Sequence, residues 1–205
     1  MPHESPATPA GVLALDRLSE HLLGAAAGLR VAVARIDAER EAAFRLRHEQ
    51  VMAEGWADGK APADGLEHDG YDADALHVCA WHDGVLIGTV RVVLPVPDRP
   101  LPVEAAFGLT VEPRGAVAEA GRLVIAPVYR GDPAHAAWGA LFACAWLELR
   151  SRGFALLAGS ATPRMVERLR RLGLPFEILG PARPYWGEDR HPVRLDPAHG
   201  RPRWF

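Results

Sequence analysis

An arginine stands in the middle of the most strand-like segment of this chain. Arg91 lies within Val85–Leu94, a run of apolar and β-branched residues. A charge in such a place is costly unless it is paired, so the fold must bring a partner to this strand. The same constraint applies to Glu119 and Arg122, which open the apolar run Leu123–Ala126.

Candidate partners stand upstream of these strands. Glu67, Asp69 and Asp72 lie close together in the sequence, and Arg47 precedes them. Paired charges that converge form a site hypothesis, because such groups cluster at functional sites. Two other interpretations stay open: a purely structural ion-pair network, and an ordinary acidic loop with Asp turns.

Composition excludes several classes of function. The chain has 205 residues, 49% apolar and 24% charged, which is typical of a globular protein. A formal net charge of -3 gives no global sign of a nucleic-acid partner. Cys79 and Cys144 are too few and too far apart for a metal site, and the nine histidines include no metal-spaced pair. We therefore predict no nucleic acid and no metal.

The sequence also predicts where the protein resides. No stretch approaches the roughly 18 apolar residues that span a membrane. Residues 1–10 have no basic region before an apolar run, so we expect no signal peptide and a cytoplasmic location. Abundant Ala, Arg, Gly and Pro with a single lysine suggest a GC-rich bacterial genome.

Hydrophobic periodicity predicts a mixed α/β chain. Asp37 is expected to cap a helix, Asp83-Gly84 to form a hairpin turn, and Thr162 to cap a later helix. The predicted helices are 12–27, 37–53, 136–152 and 162–173, and the predicted strands are 30–36, 76–81, 85–94, 118–127, 154–160, 176–179 and 192–195. This order implies a mixed sheet with helices on both faces. We expect a flexible tail over 1–10 and a single domain over 11–205.

Several motifs together resemble a known family. They are Leu46-Arg47-His48-Glu49, Trp56, Glu67-His68-Asp69-Gly70-Tyr71-Asp72, Gly88-Thr89-Val90-Arg91 and Glu119-Ala120-Gly121-Arg122. In order and approximate spacing, the set is similar to acyl-homoserine-lactone synthases and N-acyl amino acid synthases, a branch of the GNAT-type N-acyltransferase fold. The resemblance covers roughly residues 30 to 130. It implies a central, mostly antiparallel twisted sheet flanked by helices.

The resemblance implies a role for each charged residue. Acyl transfer from a thioester to an amine needs a neutral amine, a polarised carbonyl and correct alignment. Glu119 is the candidate base, and Arg122 and Arg91 are the other two candidate catalytic residues. The alternative for Glu119 is a salt bridge with Arg122 that only shapes the sheet. Because residues i and i+3 of a strand point to opposite faces, that contact needs a bulge near Gly121.

Four residues are the candidates for binding the amine substrate. Asp69 and Asp72 would meet its positive charge or anchor the arginines, and Trp56 would line the pocket. Arg47, together with Arg91 and Arg122, would balance these acids and could hold a substrate carboxylate. The family commonly has an aromatic residue where Val51 stands here, and serine at the position of Gly121. These departures leave the amine acceptor open between adenosylmethionine and an amino acid.

The donor region follows the strand that holds Glu119. Residues 124–131, followed by an apolar helix, resemble the donor loop of the fold, whose backbone N–H groups hold the pyrophosphate of coenzyme A. This implies binding by Val124, Ala126, Arg130 and Gly131. The loop lacks the usual second glycine, and Pro133 has no N–H group, which weakens the case for a standard acetyl-CoA site.

The resulting functional prediction is an N-acyltransferase. It would use acyl-CoA or acyl carrier protein as co-substrate, a small amine as acceptor and no tightly bound cofactor, as a monomer or homodimer. The apolar helix over 136–149 and the strand over 154–157 would wall the acyl chain. The alternatives are an acetyl-CoA-dependent N-acetyltransferase and a non-catalytic ligand-binding member of the fold.

Overall fold

A computed structural model describes residues 8–56, 64–129, 131–174 and 176–199. The helices are α1 (Ala10–Ala25), α2 (Asp37–Ala53), α3 (Pro102–Phe107), α4 (Asp132–Ser151) and α5 (Pro163–Arg171), with a 3₁₀ turn at Asp72–Asp74. The strands are β1 (Leu29–Val33), β2 (Leu76–His82), β3 (Val85–Val93), β4 (Val117–Ile125), β5 (Leu156–Ala161), β6 (Phe176–Ile178), β7 (Arg183–Tyr185) and β8 (Glu188–Leu195).

The eight strands form one sheet in the order β1-β2-β3-β4-β5-β8-β6, with β7 paired to β8. The β4–β5 pair is parallel and the other strand pairs are antiparallel. Successive residues of β2 point to opposite faces of the sheet, so the strand contacts helices on both sides. Val78 and Ala80 pack with α1 and α4 on one face, and Cys79 packs with α2 on the other. The predicted mixed, mostly antiparallel sheet with helices on both faces is confirmed.

The predicted distortion of β4 is present. Thr89 pairs with Val124 and Arg91 with Gly121, so Val90 of β3 faces two residues of β4. One of these is Arg122, whose φ is +54°. This is a β-bulge, and it changes the side on which the later residues of β4 project.

The bulge coincides with a split between β4 and β5. These strands pair only from Val117 to Glu119 on β4 and from Leu156 to Ala158 on β5. At the point of separation a Cβ on Gly159 would lie 2.7 Å from the carbonyl oxygen of Ala120, so only glycine fits. The sheet is therefore open just beyond Glu119.

Several predictions about the ends of elements were right. Asp83 and Gly84 form the predicted two-residue turn, with φ of 49° and 80°, and His82 pairs with Val85 across it. Thr162 caps α5, because its side-chain oxygen accepts a hydrogen bond from the N–H of Met165.

Others were wrong. Asp37 is the first helical residue of α2 rather than its cap; Ile36 holds the cap position, without a side-chain hydrogen bond. Helix α4 begins at Asp132 instead of residue 136, because proline is tolerated in a first helical turn. The elements α3 and β7 were not predicted. Residues 1–7 of the predicted tail lie outside the described residues, and α1 already begins at Ala10.

Candidate active site

A cavity of about 450 Å³ lies where β4 and β5 separate. Residues 119–124 line it from β4, and residues 157–161 line it from β5. Its size is that of a small-molecule site, and parting strands leave backbone groups available to a ligand.

One part of the cavity is apolar. Trp138 and Phe142 of α4 face it, with ring centres 5.9 Å apart and planes inclined by only 2°. Ala145 and Leu157 continue this wall, and Met165 stands on α5. The expectation that α4 and β5 would surround an apolar ligand is consistent with this lining.

Six buried or half-buried charges form a closed ring beside the cavity. Each carboxylate binds two arginines, and each arginine binds two carboxylates. Arg47 pairs with Glu67 and Asp72, Arg91 pairs with Asp69 and Asp72, and Arg122 pairs with Glu67 and Asp69. We call this set the ion-pair ring; its three positive and three negative charges balance.

The buried side of the ring centres on Asp72. Arg47 donates to its carboxylate at 2.7 and 3.2 Å, and Arg91 donates at 2.9 Å. Burial alone would raise the pKa of Asp72, but the hydrogen bonds and charges of Arg47 and Arg91 hold it well below its usual range. The N–H of Asp69 adds a bond of 2.7 Å. Asp72 therefore stays ionised.

Local structure presents these acids to the arginines. Asp72 opens the 3₁₀ turn, and a ring nitrogen of His77 lies 3.1 Å from its carbonyl oxygen. Burial lowers the pKa of His77, so the neutral imidazole donates this bond. Asp69 accepts from the N–H of Tyr71 at 2.9 Å, a short Asx turn.

Only some of the predicted substrate residues reach the cavity. Arg47 and Trp56 line it, whereas Asp69 and Asp72 do not, and Arg91 is likewise behind the wall. The acids predicted to meet the amine's charge already neutralise three arginines. Glu67, which was not among the predicted substrate or catalytic residues, lies in the ring and lines the cavity.

Glu119 stands outside the ring. It is buried, lines the cavity, and accepts a hydrogen bond of 2.7 Å from the N–H of Val103. Burial raises its pKa to about 7, although the Val103 bond and the charges of Arg91 and Arg122 oppose the rise. Among the described residues, Arg122 forms its ion pairs with the acids of the ring, so the alternative Glu119–Arg122 salt bridge is not formed.

The unpredicted helix α3 positions the hydrogen bond to Glu119. Val103 lies in its first turn, and the carboxylate of Glu104 accepts from the N–H groups of Leu101 and Val111, each at 2.7 Å. The charge of Glu104 adds to the rise in the pKa of Glu119. The signal for this helix was Pro102 followed two residues later by an acid.

The β7–β8 hairpin forms the mouth of the cavity. Its turn, Trp186-Gly187, has φ of 53° and 69°, and Trp186 stacks beneath Arg122, whose guanidinium carbon lies 4.0 Å from the ring centre. Trp56 packs directly on Gly187, where a Cβ would lie 2.1 Å from the indole. Arg190 lies over the Trp56 ring at 5.3 Å. We call Trp56, Trp186, Gly187 and Arg190 the aromatic mouth.

Only one of the residues predicted to bind the acyl donor is found to line the cavity among those that the structure describes. Val124 lines the cavity, while Ala126 is buried and its N–H donates to the carbonyl of Ile87 at 2.8 Å. Gly131 directly precedes α4. Arg130 lies outside the described residues.

Two further features bear on function. No helix in the described part of the chain is long and apolar enough to cross a membrane. Over the same residues, no group of three or more His, Cys, Asp and Glu side chains is arranged to hold a metal ion.

Residues 46–139 match the family model described as Acetyltransferase (GNAT) domain. This segment includes the ring, Glu119 and the bulge. Over these residues the chain is similar to a GNAT acetyltransferase domain. No curated protein gives a match.

Solved structures share the fold over about three quarters or more of this chain. The acyl-homoserine-lactone synthase LasI is 20% identical, with a TM-score of 0.68 over 82% of this chain and 90% of LasI. The CoA-dependent acyl-homoserine lactone synthase BjaI, with SAM and isopentyl-CoA, is 21% identical, with a TM-score of 0.61 over 76% and 74%. FeeM, an N-acyl amino acid synthase from uncultured soil microbes, is 17% identical, with a TM-score of 0.59 over 82% and 88%.

Proposed function

We propose that the protein transfers an acyl group from a thioester to the amine of an amino-acid-like acceptor. The observation that carries this proposal is Glu119: a buried carboxylate outside the ring, in a cavity between parting strands, with a pKa raised to about 7. An acid–base group works best when its pKa lies near the working pH, and an ordinary glutamate is too acidic. The acyltransferase fold supplies the reaction class.

The reaction assigns Glu119 the role of base. It takes a proton from the ammonium form of the acceptor, directly or through one water molecule. The neutral amine attacks the thioester carbonyl, a C–N bond forms, and the C–S bond breaks with its electron pair on sulfur. The second proton of the nitrogen goes to the thiolate, which gives an amide and a free thiol.

The apolar wall supports an acyl donor longer than acetyl. Trp138, Phe142 and Met165 line an apolar part of the cavity, which an acetyl group is too small to fill. The donor is then a coenzyme A or acyl carrier protein thioester, with its acyl chain against α4 and α5. This wall favours the proposed reaction over acetyl transfer.

The open cavity also argues against a member of the fold without catalytic activity. A protein that binds only a partner through its surface has no need of a buried carboxylate beside a ligand-sized cavity. In this GNAT domain the carboxylate, the apolar wall and the aromatic mouth meet in one space. Their convergence fits chemistry on a bound substrate.

Purified protein, supplied with acyl-CoA and acyl carrier protein thioesters from C2 to C16, tests the proposal. The acceptors are the amino acids and adenosylmethionine, and mass spectrometry detects new amides. We expect longer chains to exceed acetyl, and Glu119→Gln to lower kcat/KM by roughly 10²- to 10⁴-fold. The exposed Glu177→Gln serves as control and should keep wild-type activity. No amide from any pair, or an unimpaired Glu119→Gln enzyme, would contradict the proposal.

A further inference from the structure

The proposed acceptor carries a carboxylate, but each arginine of the ion-pair ring already binds two carboxylates. Arg47 donates through Nε and both Nη atoms to Glu67 and Asp72, and its side chain is only 1% exposed. Arg91 is similarly buried and does not line the cavity. A substrate carboxylate could bind either arginine only by breaking a buried ion pair.

Arg122 reaches the cavity but is already surrounded by negative charge. Its Nε and Nη2 atoms donate to Glu67 and Asp69, each at 3.1 Å. One face of its guanidinium lies against Trp186. A third carboxylate here would be repelled by the two already bound.

Arg190 has the features that the ring arginines lack. It lies on β8 and lines the same cavity as Glu119. Its Nε donates to the carbonyl of Tyr185 at 3.1 Å, and its face lies over Trp56, so the guanidinium plane is fixed. Its Nη2 binds Glu188 at 2.8 Å, and no hydrogen bond from Nη1 to a described residue is found.

The partner of Arg190 is easily replaced. The Glu188 side chain is 45% exposed, so this pair sits at the rim, where an ion pair contributes little and either side chain can turn to water. An arriving carboxylate would keep the charge balance and gain two parallel N–H bonds from one planar group.

We propose that Arg190 binds the carboxylate of the amine acceptor, which makes a carboxylate next to the reacting amine a requirement for good substrates. This inference rests on the proposed function and adds a specificity-determining residue to it. Glu188 pairs with the guanidinium and is displaced when the acceptor binds.

Paired acceptors test this inference. Leucine and isoamylamine, or phenylalanine and phenethylamine, differ only by the carboxylate. We expect wild-type kcat/KM to favour the amino acid by about 10- to 100-fold. Arg190→Gln should lose that preference through a higher KM for the amino acid, with little change for the amine, and Arg190→Lys should fall between.

Arg194→Gln is the matched control. Arg194 lies four residues further along β8 and makes a comparable ion pair with Glu177 at 2.8 Å, away from the Glu119 cavity. It should keep the wild-type preference. An Arg190→Gln enzyme that loses activity equally on both members of a pair, or on neither, would overturn the inference.

Calorimetric binding of the same acceptors separates this inference from the proposed function. If no amide forms with any donor, the proposed reaction fails. Binding of leucine or phenylalanine that is about 10-fold weaker or more in Arg190→Gln would still support the carboxylate site. Equal binding by wild type and variant, or no binding by either, would refute it.

Discussion

The ion-pair ring and Glu119 are neighbouring groups of buried charge with opposite electrostatics. In the ring, three carboxylates meet three arginines, and the pKa of Asp72 is held far below its ordinary value. Glu119 has one peptide N–H and no ion pair among the described residues, and its pKa is raised to about 7. The same residue classes therefore build a network of ion pairs in one place and, on the proposed function, a proton acceptor in the other.

The difference teaches how to separate structure from chemistry in a charged site. Asp72, which two arginines of the ring bind, stays ionised across the ordinary pH range, so it cannot exchange protons there. A buried carboxylate without a paired cation is costly to ionise, so small changes nearby decide whether it is protonated. The ring joins α2, β3 and β4 to residues 67–72, and Glu119 lies on β4 beside it.

The largest effect is expected from breaking the ring. Asp72→Asn removes the carboxylate that Arg47 and Arg91 share and leaves the buried ring with one uncompensated positive charge, so the free energy of unfolding should fall by about 3–5 kcal/mol in urea denaturation. Asp74→Asn is the matched control, because Asp74 is in the same 3₁₀ turn and pairs with Arg99 at the surface. That change should cost at most about 1 kcal/mol. Equal effects would mean that the ring is not a scaffold.

A smaller effect is expected at the aromatic mouth. Gly187→Ala places a methyl group against Trp56 and also strains a residue with φ of 69°. The strain should cost about 1–2 kcal/mol of stability, and the displaced indole should raise the KM of the acceptor.

Gly84→Ala provides the control for that variant. Gly84 has φ of 80° in an equivalent hairpin turn, but a Cβ added there would have no neighbouring atom within 4 Å. This variant should lose similar stability and keep the wild-type KM. Matching kinetics in both variants would show that the aromatic mouth does not contribute to acceptor binding.

The smallest effect is expected from Glu104. Glu104→Gln removes a negative charge that raises the pKa of Glu119, so that pKa should fall. Because Glu119 must be ionised to act as a base, the rate falls as pH drops through its pKa. The acid limb of kcat/KM should therefore move to lower pH, by less than about one pH unit.

Other groups also interact with Glu119: the charges of Arg91 on β3 and Arg122 on β4 lower its pKa, and Glu119 in turn helps to raise the pKa of Tyr71. The control for Glu104→Gln is Glu112→Gln, since Glu112 is exposed and pairs with Arg114. It should leave the pH profile unchanged. An acid limb that moves to higher pH in Glu104→Gln would contradict the electrostatic account of Glu119.

Much of this geometry followed from local rules. The Asp83-Gly84 turn set the β2–β3 register, and the position of Arg91 in an apolar strand required buried acids. Glu119 and Arg122 could share a face of the strand only with a bulge near Gly121, and the bulge is present at Arg122, whose φ is +54°. These features depend on neighbouring residues, so a sequence can reveal them.

The remaining features depend on contacts between distant segments. The closed ring draws on residues spread from Arg47 to Arg122, and nothing in the local pattern says which arginine reaches which acid. The aromatic mouth joins Trp56 to Gly187. Strand β7 has only three residues and contains Pro184, so no periodicity marks it.

The most direct measurement is a ¹³C NMR titration of the glutamate and aspartate side-chain carboxyl groups, with Glu119 assigned by comparison with Glu119→Gln. The account predicts one resonance that titrates at about pH 7 and disappears in that variant. It also predicts that Asp72 remains ionised well below the ordinary range for aspartate. A Glu119 resonance that titrates with the exposed carboxylates, near its usual 4.5, would contradict the account.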